Sequence, residues 1–489
     1  MRAATIAGVL ALIALAASLL VIQLRVPAAS VSGPRLSVVP ALREWYEASG
    51  YFRFHAGSRI IVDSADAAAL DPTAAAFQDD LASLTGSRPA IALGSEPAPG
   101  DVFLSLRTGD AGIGAEGYLL DVADRVSIRA HTSAGIFYGS RTVLQMLVAG
   151  RSLLVPRGHA RDYPQYAERG FTLDVSSQFV SIGTLERYVR YLAWYKFNDF
   201  QLELNDNGGF RLDSPAFPGL AAKDGSYKEN QFKALESYAQ VRGITITPEI
   251  DSPGHAAALT SYRPELASPE NATFIDLRNP HSRTFMADLW GSFLPWFTGP
   301  RVAIGADEYD TADGDAYRSY VNFLDAYLRQ QGKSVRMWGS LKREAGRVPV
   351  HNDITVEQWD SGWSDPLALD RLGFPIINAS SDFLYIVVPK SQWFADHIDA
   401  RDLYEHWDPT LFSRSNPNLR LARGDPRLEG AIFEFWGYAA TQDAFDRVTA
   451  GMPVVGDKLW NDLSSEVPYS TFQAAAARVS PQFTSFFRM

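Results

Sequence analysis

The sequence predicts an α/β protein whose larger part is a (β/α)8 TIM barrel, preceded by a small α+β domain. Two observations carry that prediction. From about residue 166 onward, eight short apolar runs alternate with stretches of helical spacing, the pattern of a parallel barrel. Nearly every run ends in an acid or an indole, as barrel strands do when they deliver side chains to one face. A chain of 489 residues is also too long for one small core, which suits a large barrel with a companion domain.

Taken in order, Met1 and Arg2 precede an almost unbroken apolar run over residues 3–24, closed by Arg25. About twenty apolar residues suffice to span a bilayer as a helix, and they exceed the usual signal-peptide core of about 7–15. The small residues Ala28, Ala29 and Ser30 also permit cleavage. Residues 1–33 are therefore expected to be a signal peptide or an N-terminal membrane anchor, with the uncleaved anchor favoured. The remainder would then be secreted or held outside the cytoplasm, with the membrane as a partner when the helix is retained.

Residues 34–165 read as the α+β domain. Residues 59–62 and 102–106 have strand character, and residues 71–84 form an Ala-rich amphipathic helix. Residues 117–122 and 126–130 are strands joined by the hairpin-like Ala123-Asp124-Arg125. Ser133 caps a helix running to about residue 148, with Ile136, Phe137, Val143, Leu144 and Leu147 on its apolar side. No cluster of acids, histidines or phosphate-type glycines here reads as a site.

Residues 166–489 read as the barrel. Its eight runs are residues 170–175, 199–204, 244–250, 302–305, 334–338, 354–359, 374–378 and 431–436, with helical spacing at 185–195 and 316–331. Their ends bring Asp174, Asp206, Glu249, Asp251, Asp307, Glu308, Trp338, Trp359 and Trp436 to one face. The fourth run, Val302-Ala303-Ile304-Gly305-Ala306-Asp307-Glu308-Tyr309, ends in two adjacent acids. Successive side chains of a strand point to opposite faces, so Asp307 and Glu308 share a pocket only if the strand stops there and the chain turns. Taken alone, the pair also reads as a solvated strand end.

Composition narrows the function classes. The net charge is -11, with Lys+Arg 45 against Asp+Glu 56 and no long basic run, which argues against a nucleic-acid partner. The absence of cysteine removes disulfides, thiolate nucleophiles and cysteine-based zinc sites together. The histidines are scattered and show no HExxH spacing, so neither a metal nor another cofactor is expected. Trp 11, Tyr 20 and Phe 28 suit a carbohydrate surface, because sugar C–H faces pack on aromatic rings, although rings also fill cores.

Several ordered motifs go further. They are Arg169-Gly170 with Leu173-Asp174-Val175, Tyr195-Lys196-Phe197-Asn198, Leu204-Asn205-Asp206-Asn207, Pro248-Glu249-Ile250-Asp251 with Pro253-Gly254-His255, and Gly305-Ala306-Asp307-Glu308. With these the chain resembles glycoside hydrolase family 20, the β-N-acetylhexosaminidases and their relatives, from about residue 50 to near the C-terminus. The Leu-Asn-Asp-Asn and Gly-Ala-Asp-Glu-Tyr variants resemble its lacto-N-biosidase-like branch, whose members remove a disaccharide.

The resemblance implies hydrolysis of a terminal 2-acetamido sugar with retention, in which the substrate's own acetamido oxygen attacks the anomeric carbon and forms an oxazolinium-like intermediate. Glu308 would be the general acid and later the base, help worth roughly 10²–10⁴ in rate. Asp307 would hold the acetamido N–H and stabilise the developing positive charge, keeping its own charge while Glu308 stays protonated. Also implied are Arg169 on the sugar hydroxyls, Trp359 and Trp436 as pocket walls with Trp338 as a further wall, Tyr385 on the acetamido carbonyl, and Asp206 and His255 lining the bowl. On residue type alone, the tryptophans also read as core caps, Asp251 and His255 as loop pins, and Glu249 as structural support.

Departures from the family pattern accompany these matches. Ser177-Gln178 stand where many members have an Arg-His-like pair, Glu203 and Ala303 replace histidines, and Val387 and Tyr438 stand where acids grip outer hydroxyls. The leading reading is an exo-glycosidase acting on β-linked N-acetylhexosamines, with a carbohydrate as its partner. Disaccharide release, a catalytically worn carbohydrate-binding protein, and a barrel glycosidase with a protein nucleophile are the alternatives.

Overall fold

The computed structural model describes residues 36–480, apart from 56, 151–153 and 462–466. The apolar segment assigned to residues 1–33 lies outside the described residues. Among those described, no helix is long and apolar enough to cross a membrane.

The first part is a seven-stranded mixed sheet. Its strands are β1 (Glu44–Arg53), β2 (Arg59–Val62), β3 (Ala90–Leu93), β4 (Val102–Ser105), β5 (Tyr118–Val122), β6 (Val126–Ala130) and β7 (Leu154–Asp162), in the order β1-β7-β5-β6-β4-β2-β3. The expected hairpin is β5–β6, in which Val122 pairs with Val126 across the three-residue turn. The helices Ala67–Thr85 and Ser133–Gly150 pack against the sheet and each other. The second was expected to bury one side only, yet every residue from Gly135 to Val148 is buried. It is wedged between sheet and barrel, where Tyr138 OH donates to Gly243 O at 2.8 Å and Gln145 Nε2 to Trp194 O at 2.9 Å.

The second part continues with β8 (Glu168–Asp174), β9 (Asp199–Glu203), the short hairpin β10 (Asn205–Asp206) and β11 (Gly209–Phe210), β12 (Thr245–Glu249), β13 (Arg301–Ala303), β14 (Ser334–Trp338), β15 (Thr355–Gln358), β16 (Ile376–Asn378), β17 (Tyr385–Val388) and β18 (Leu428–Gly437). Eight of these run parallel in the order β16-β15-β14-β13-β12-β9-β8-β18, and a β16–β18 pairing closes the ring. Each corresponds to one of the eight apolar runs. The strands are buried on both sides, polar residues included, which is why apolar residues recur along them without a half-exposed face. Between barrel and surrounding helices, Phe171, Tyr188, Phe200 and Phe433 stack with centroids 5.6–6.3 Å apart.

Inside the barrel, the amino-terminal end is plugged by ion pairs. Arg336 meets Glu168 at 2.6 Å and Asp199 at 2.8 Å, and Arg301 meets Asp199 at 2.7 Å. The opposite, carboxyl-terminal mouth stays open.

Candidate active site

The mouth is built around the end of β13. Regular pairing stops at Ala303, and the chain then passes through Gly305 (φ +67°), Ala306 (φ +69°) and Glu308 (φ +48°) in the left-handed region. Non-glycine residues seldom adopt it, and here they bend the chain so that both Asp307 and Glu308 face one cavity. The turn the sequence required is therefore present. It is clamped by Asp251, whose Oδ1 accepts the Ala306 N–H at 2.9 Å, and by Tyr317 OH, which donates to Ala306 O. A Cβ at Gly305 would lie 1.7 Å from Asp251 Oδ1, so glycine is required by space as well as by φ. Asp251 thus pins the loop rather than facing a ligand.

His255 (φ +47°) reaches into the same place from the loop after β12. Its Nδ1 lies 2.8 Å from Asp206 Oδ1, and its Nε2 lies 3.3 Å from Glu308 Oε2 and 3.7 Å from Asp307 Oδ2. Burial opposes a charge on this ring, but attraction to Asp307 and hydrogen bonds to Asp206 and Glu308 prevail, and its pKa stands well above the ordinary histidine value. The ring is an imidazolium that ties three carboxyl side chains together.

Burial pushes Asp307 up to about 6, against the pull of His255 and with the push of Glu308. Asp307 is expected to keep its charge, and a value of about 6 leaves it a carboxylate at neutral pH. In the open pocket, burial falls on Asp307, whose side chain is 18% exposed against 44% for Glu308. Asp307 Oδ1 is buried with no hydrogen-bond partner, an arrangement native proteins rarely leave without a use.

Aromatic rings close the other side. Tyr385, opening β17, stacks on Trp359 at 6.3 Å with 11° between planes, Trp436 lies 5.7 Å from Tyr385, and Trp338 lies 5.6 Å from Trp436. Trp338 is fixed by its Nε1–H donating to Glu249 Oε1 at 2.6 Å, and Glu249 also accepts from Gln201 Nε2 at 2.9 Å. Glu249 is a support, as its place at a strand end suggested. The cavity measures about 470 Å³ and is lined by every predicted site residue but one.

The exception is Arg169. It opens β8 instead of ending it, so it sits at the barrel's amino-terminal end, about 16 Å of strand away from Asp174 at the mouth. There it is fully buried, donating to Glu116 at 2.8 and 2.9 Å and to Lys196 O at 2.7 Å, with its guanidinium 5.2 Å from the Trp460 ring centroid. The expected role on sugar hydroxyls is therefore corrected to an ion pair that joins the two parts of the chain.

The sequence reading treated Glu203, Ser177, Val387 and Tyr438 only as departures, and all four line the cavity. For Glu203 a signal existed. In Asp199-Phe200-Gln201-Leu202-Glu203-Leu204, polar and apolar residues alternate, which places Asp199, Gln201 and Glu203 together on the inward face. Asp251, His255 and Asp307 also bring ligand-type atoms within 4.8 Å of one another. There Asp251 accepts the Ala306 N–H, and His255 is paired with Asp206, Glu308 and Asp307.

Paired carboxylates beside an aromatic box at a barrel mouth define a glycosidase-type site, where one acid protonates a glycosidic oxygen while its neighbour faces the ring. The comparisons give that class a family. Residues 166–319 match the model described as glycosyl hydrolase family 20, catalytic domain, and residues 35–163 match glycosyl hydrolase family 20, domain 2. The chain belongs to glycosyl hydrolase family 20. A lacto-N-biosidase of Bifidobacterium bifidum is 25% identical over 473 residues, covering 89% of this chain and 40% of that protein. A beta-N-acetylhexosaminidase of Cellulomonas fimi is 29% identical over 393 residues, covering 73% and 77%. The chain thus spans well under half the length of the first relative and about three quarters of the second. In fold, it is similar to the GH20 beta-N-acetylhexosaminidase of Streptomyces coelicolor A3(2), with a TM-score of 0.79 at 24% identity over 93% of this chain and 97% of that one.

Proposed function

We propose that this pocket hydrolyses the β-linkage of a terminal N-acetylhexosamine, with retention, using the substrate's own acetamido group as nucleophile. The observation that carries the reading is the buried, partnerless Asp307 Oδ1 beside Glu308 and the aromatic box. An acetamido N–H satisfies that oxygen, and the flat acetamido group fits between Trp359, Tyr385 and Trp436. As the acetamido oxygen closes on the anomeric carbon, positive charge spreads onto the ring nitrogen, and Asp307 as a carboxylate stabilises it. Glu308 gives its proton to the departing oxygen, then takes one from the water that opens the intermediate. His255, hydrogen-bonded to Glu308 and Asp206, keeps the acid oriented through both steps.

The test is turnover of an aryl N-acetyl-β-glucosaminide, its galacto epimer and the 2-hydroxy analogue. Hydrolysis of the acetamido substrates but not the 2-hydroxy one is expected. Asp307→Asn and Glu308→Gln should each abolish it while leaving thermal unfolding intact. Activity surviving both changes, or equal activity on the 2-hydroxy sugar, overturns the reading.

A second reading, release of a disaccharide, is favoured by one observation. The rim at Ser177, Val387 and Tyr438 carries no charged group, and Tyr438 is 52% exposed, which leaves room for a sugar attached to the terminal ring. Faster turnover of an aryl lacto-N-bioside than of the aryl monosaccharide would select it. Placement outside the cytoplasm, by a cleaved signal or a retained anchor, is likewise proposed, on the apolar run of residues 3–24 alone.

A further inference from the structure

A pyranose seated with C1 at Glu308 and its acetamido group at Asp307 and Tyr385 turns its far edge, C3 and C4, toward the rest of the cavity wall. That wall comprises Asp174, Ser177, Glu203, Asp206 and Tyr438. Three of its carboxylate oxygens are already committed. Asp174 Oδ1 accepts from Ser176 N and Ser177 N, and its Oδ2 accepts from Gly437 N at 3.0 Å. Asp206 Oδ1 is held by His255 and by the Asn207 N–H. No lysine or arginine is among the residues described as lining the cavity.

Glu203 differs from its neighbours. It lines the cavity, its residue is only 4% exposed, and its Oε2 is buried with no hydrogen-bond partner. Strand register holds it rigidly, between Asp174 on β8 and Glu249 on β12. A buried, partnerless carboxyl oxygen on a fixed strand end, facing a cavity, is a group built to meet a ligand.

We propose that Glu203 reads a ring hydroxyl on the C3–C4 edge of the terminal sugar and is a specificity-determining residue of this pocket. The assignment rests on the hydrolase reading above for the orientation of the ring. Burial among Asp174, Asp206, Glu249 and Asp251 holds the Glu203 carboxyl well above the usual carboxylate range. In its neutral form it both donates to and accepts from a hydroxyl. A site committed to one hydroxyl rejects the analogue lacking it, because its own buried group is then left unpaired.

The experiment is a cycle of variants and sugars, read by calorimetric binding of N-acetylglucosamine and its 3-deoxy and 4-deoxy analogues and by kcat/KM on the corresponding aryl glycosides. The wild type should disfavour one deoxy analogue by about tenfold or more. Glu203→Leu should weaken the parent sugar about ten- to hundredfold and treat parent and deoxy sugar alike. Glu203→Gln, which still donates and accepts, should keep most of the discrimination. Glu203→Asp, which keeps the acid but withdraws it by one methylene, should lose it, and serves if the leucine variant fails to fold. The proposal is overturned if the leucine or aspartate variant discriminates between parent and deoxy sugars as the wild type does, or if the wild type discriminates against neither analogue. Wild-type turnover decides the hydrolase reading separately. Sugar bound without turnover defeats that reading and leaves the binding cycle to judge Glu203, while a wild type that binds no sugar overturns both.

Discussion

Replacing His255 by glutamine removes the one cation that the described residues place among the carboxylates at the barrel mouth, and the consequence for Asp307 follows from distance. The imidazole Nε2 lies 3.7 Å from Asp307 Oδ2. At that separation a unit pair in an effective dielectric of about 20 is worth about 4.5 kcal/mol, and water entering the open cavity brings this to about 2 kcal/mol. At about 1.36 kcal/mol per pH unit, the loss raises the Asp307 pKa by about 1.5 pH units, from the value of about 6 to which burial already pushes it. The sign is set by the charge needed. In the proposed mechanism Asp307 acts as a carboxylate on a cationic intermediate, so activity is expected to be lost as pH falls through its pKa, and raising that pKa moves the acid limb toward neutrality. The assay is kcat/KM of an aryl N-acetyl-β-glucosaminide from about pH 4 to 9. The limb should move from near pH 6 in the wild type to about 7.5 in His255→Gln. An acid limb that stays in place while activity drops uniformly would show that His255 only orients the acids, and would refute the electrostatic argument.

Two further outcomes follow from the geometry. Arg169→Ala removes a fully buried cation and strands Glu116, a break that costs about 3–5 kcal/mol in comparable buried pairs. Calorimetric unfolding should show the loss while KM stays at the wild-type value; a raised KM without loss of stability would return Arg169 to the sugar. Gly305→Ala places a Cβ on Asp251 Oδ1 in a left-handed residue. Displacing the turn by even about 1 Å should lower kcat about a hundredfold, and an unchanged kcat would show that the turn tolerates repacking.

The barrel was legible because its strands are buried on both faces and so leave eight short runs in which apolar residues recur, even where inward polar residues interrupt them, as in residues 199–204. The small sheet was less so. β1 is exposed along most of its length and contains Gly50, and β7 carries Pro156, Gly158 and several charges, so neither shows the alternation that marks a half-buried strand. Asp307 and Glu308 stood out as acids after an apolar run, but the left-handed residues that aim them have no signature in the letters Ala306 and Glu308. Arg169 was misplaced because motif resemblance ignores strand polarity: a residue that opens a parallel strand cannot serve the end where the strand finishes. Glu203 was passed over as a missing histidine, although its alternation with Gln201 and Asp199 already turned it inward.

The joint beneath the barrel has a consequence of its own. Two cations sealed into the barrel's foot, Arg169 and Lys196, find their counter-charges in the other part of the chain, on Glu116 and on Asp162, which lies 2.9 Å from Lys196 Nζ. The Trp460 indole, from the helix Gln442–Asn461, donates to the same Asp162 at 2.9 Å. The catalytic barrel is therefore not self-sufficient: a chain begun at its first strand would enclose two uncompensated charges. The small sheet, which supplies none of the residues described as lining the cavity, is the barrel's keystone, and any chimera that exchanges it must carry acids at positions 116 and 162 along with it.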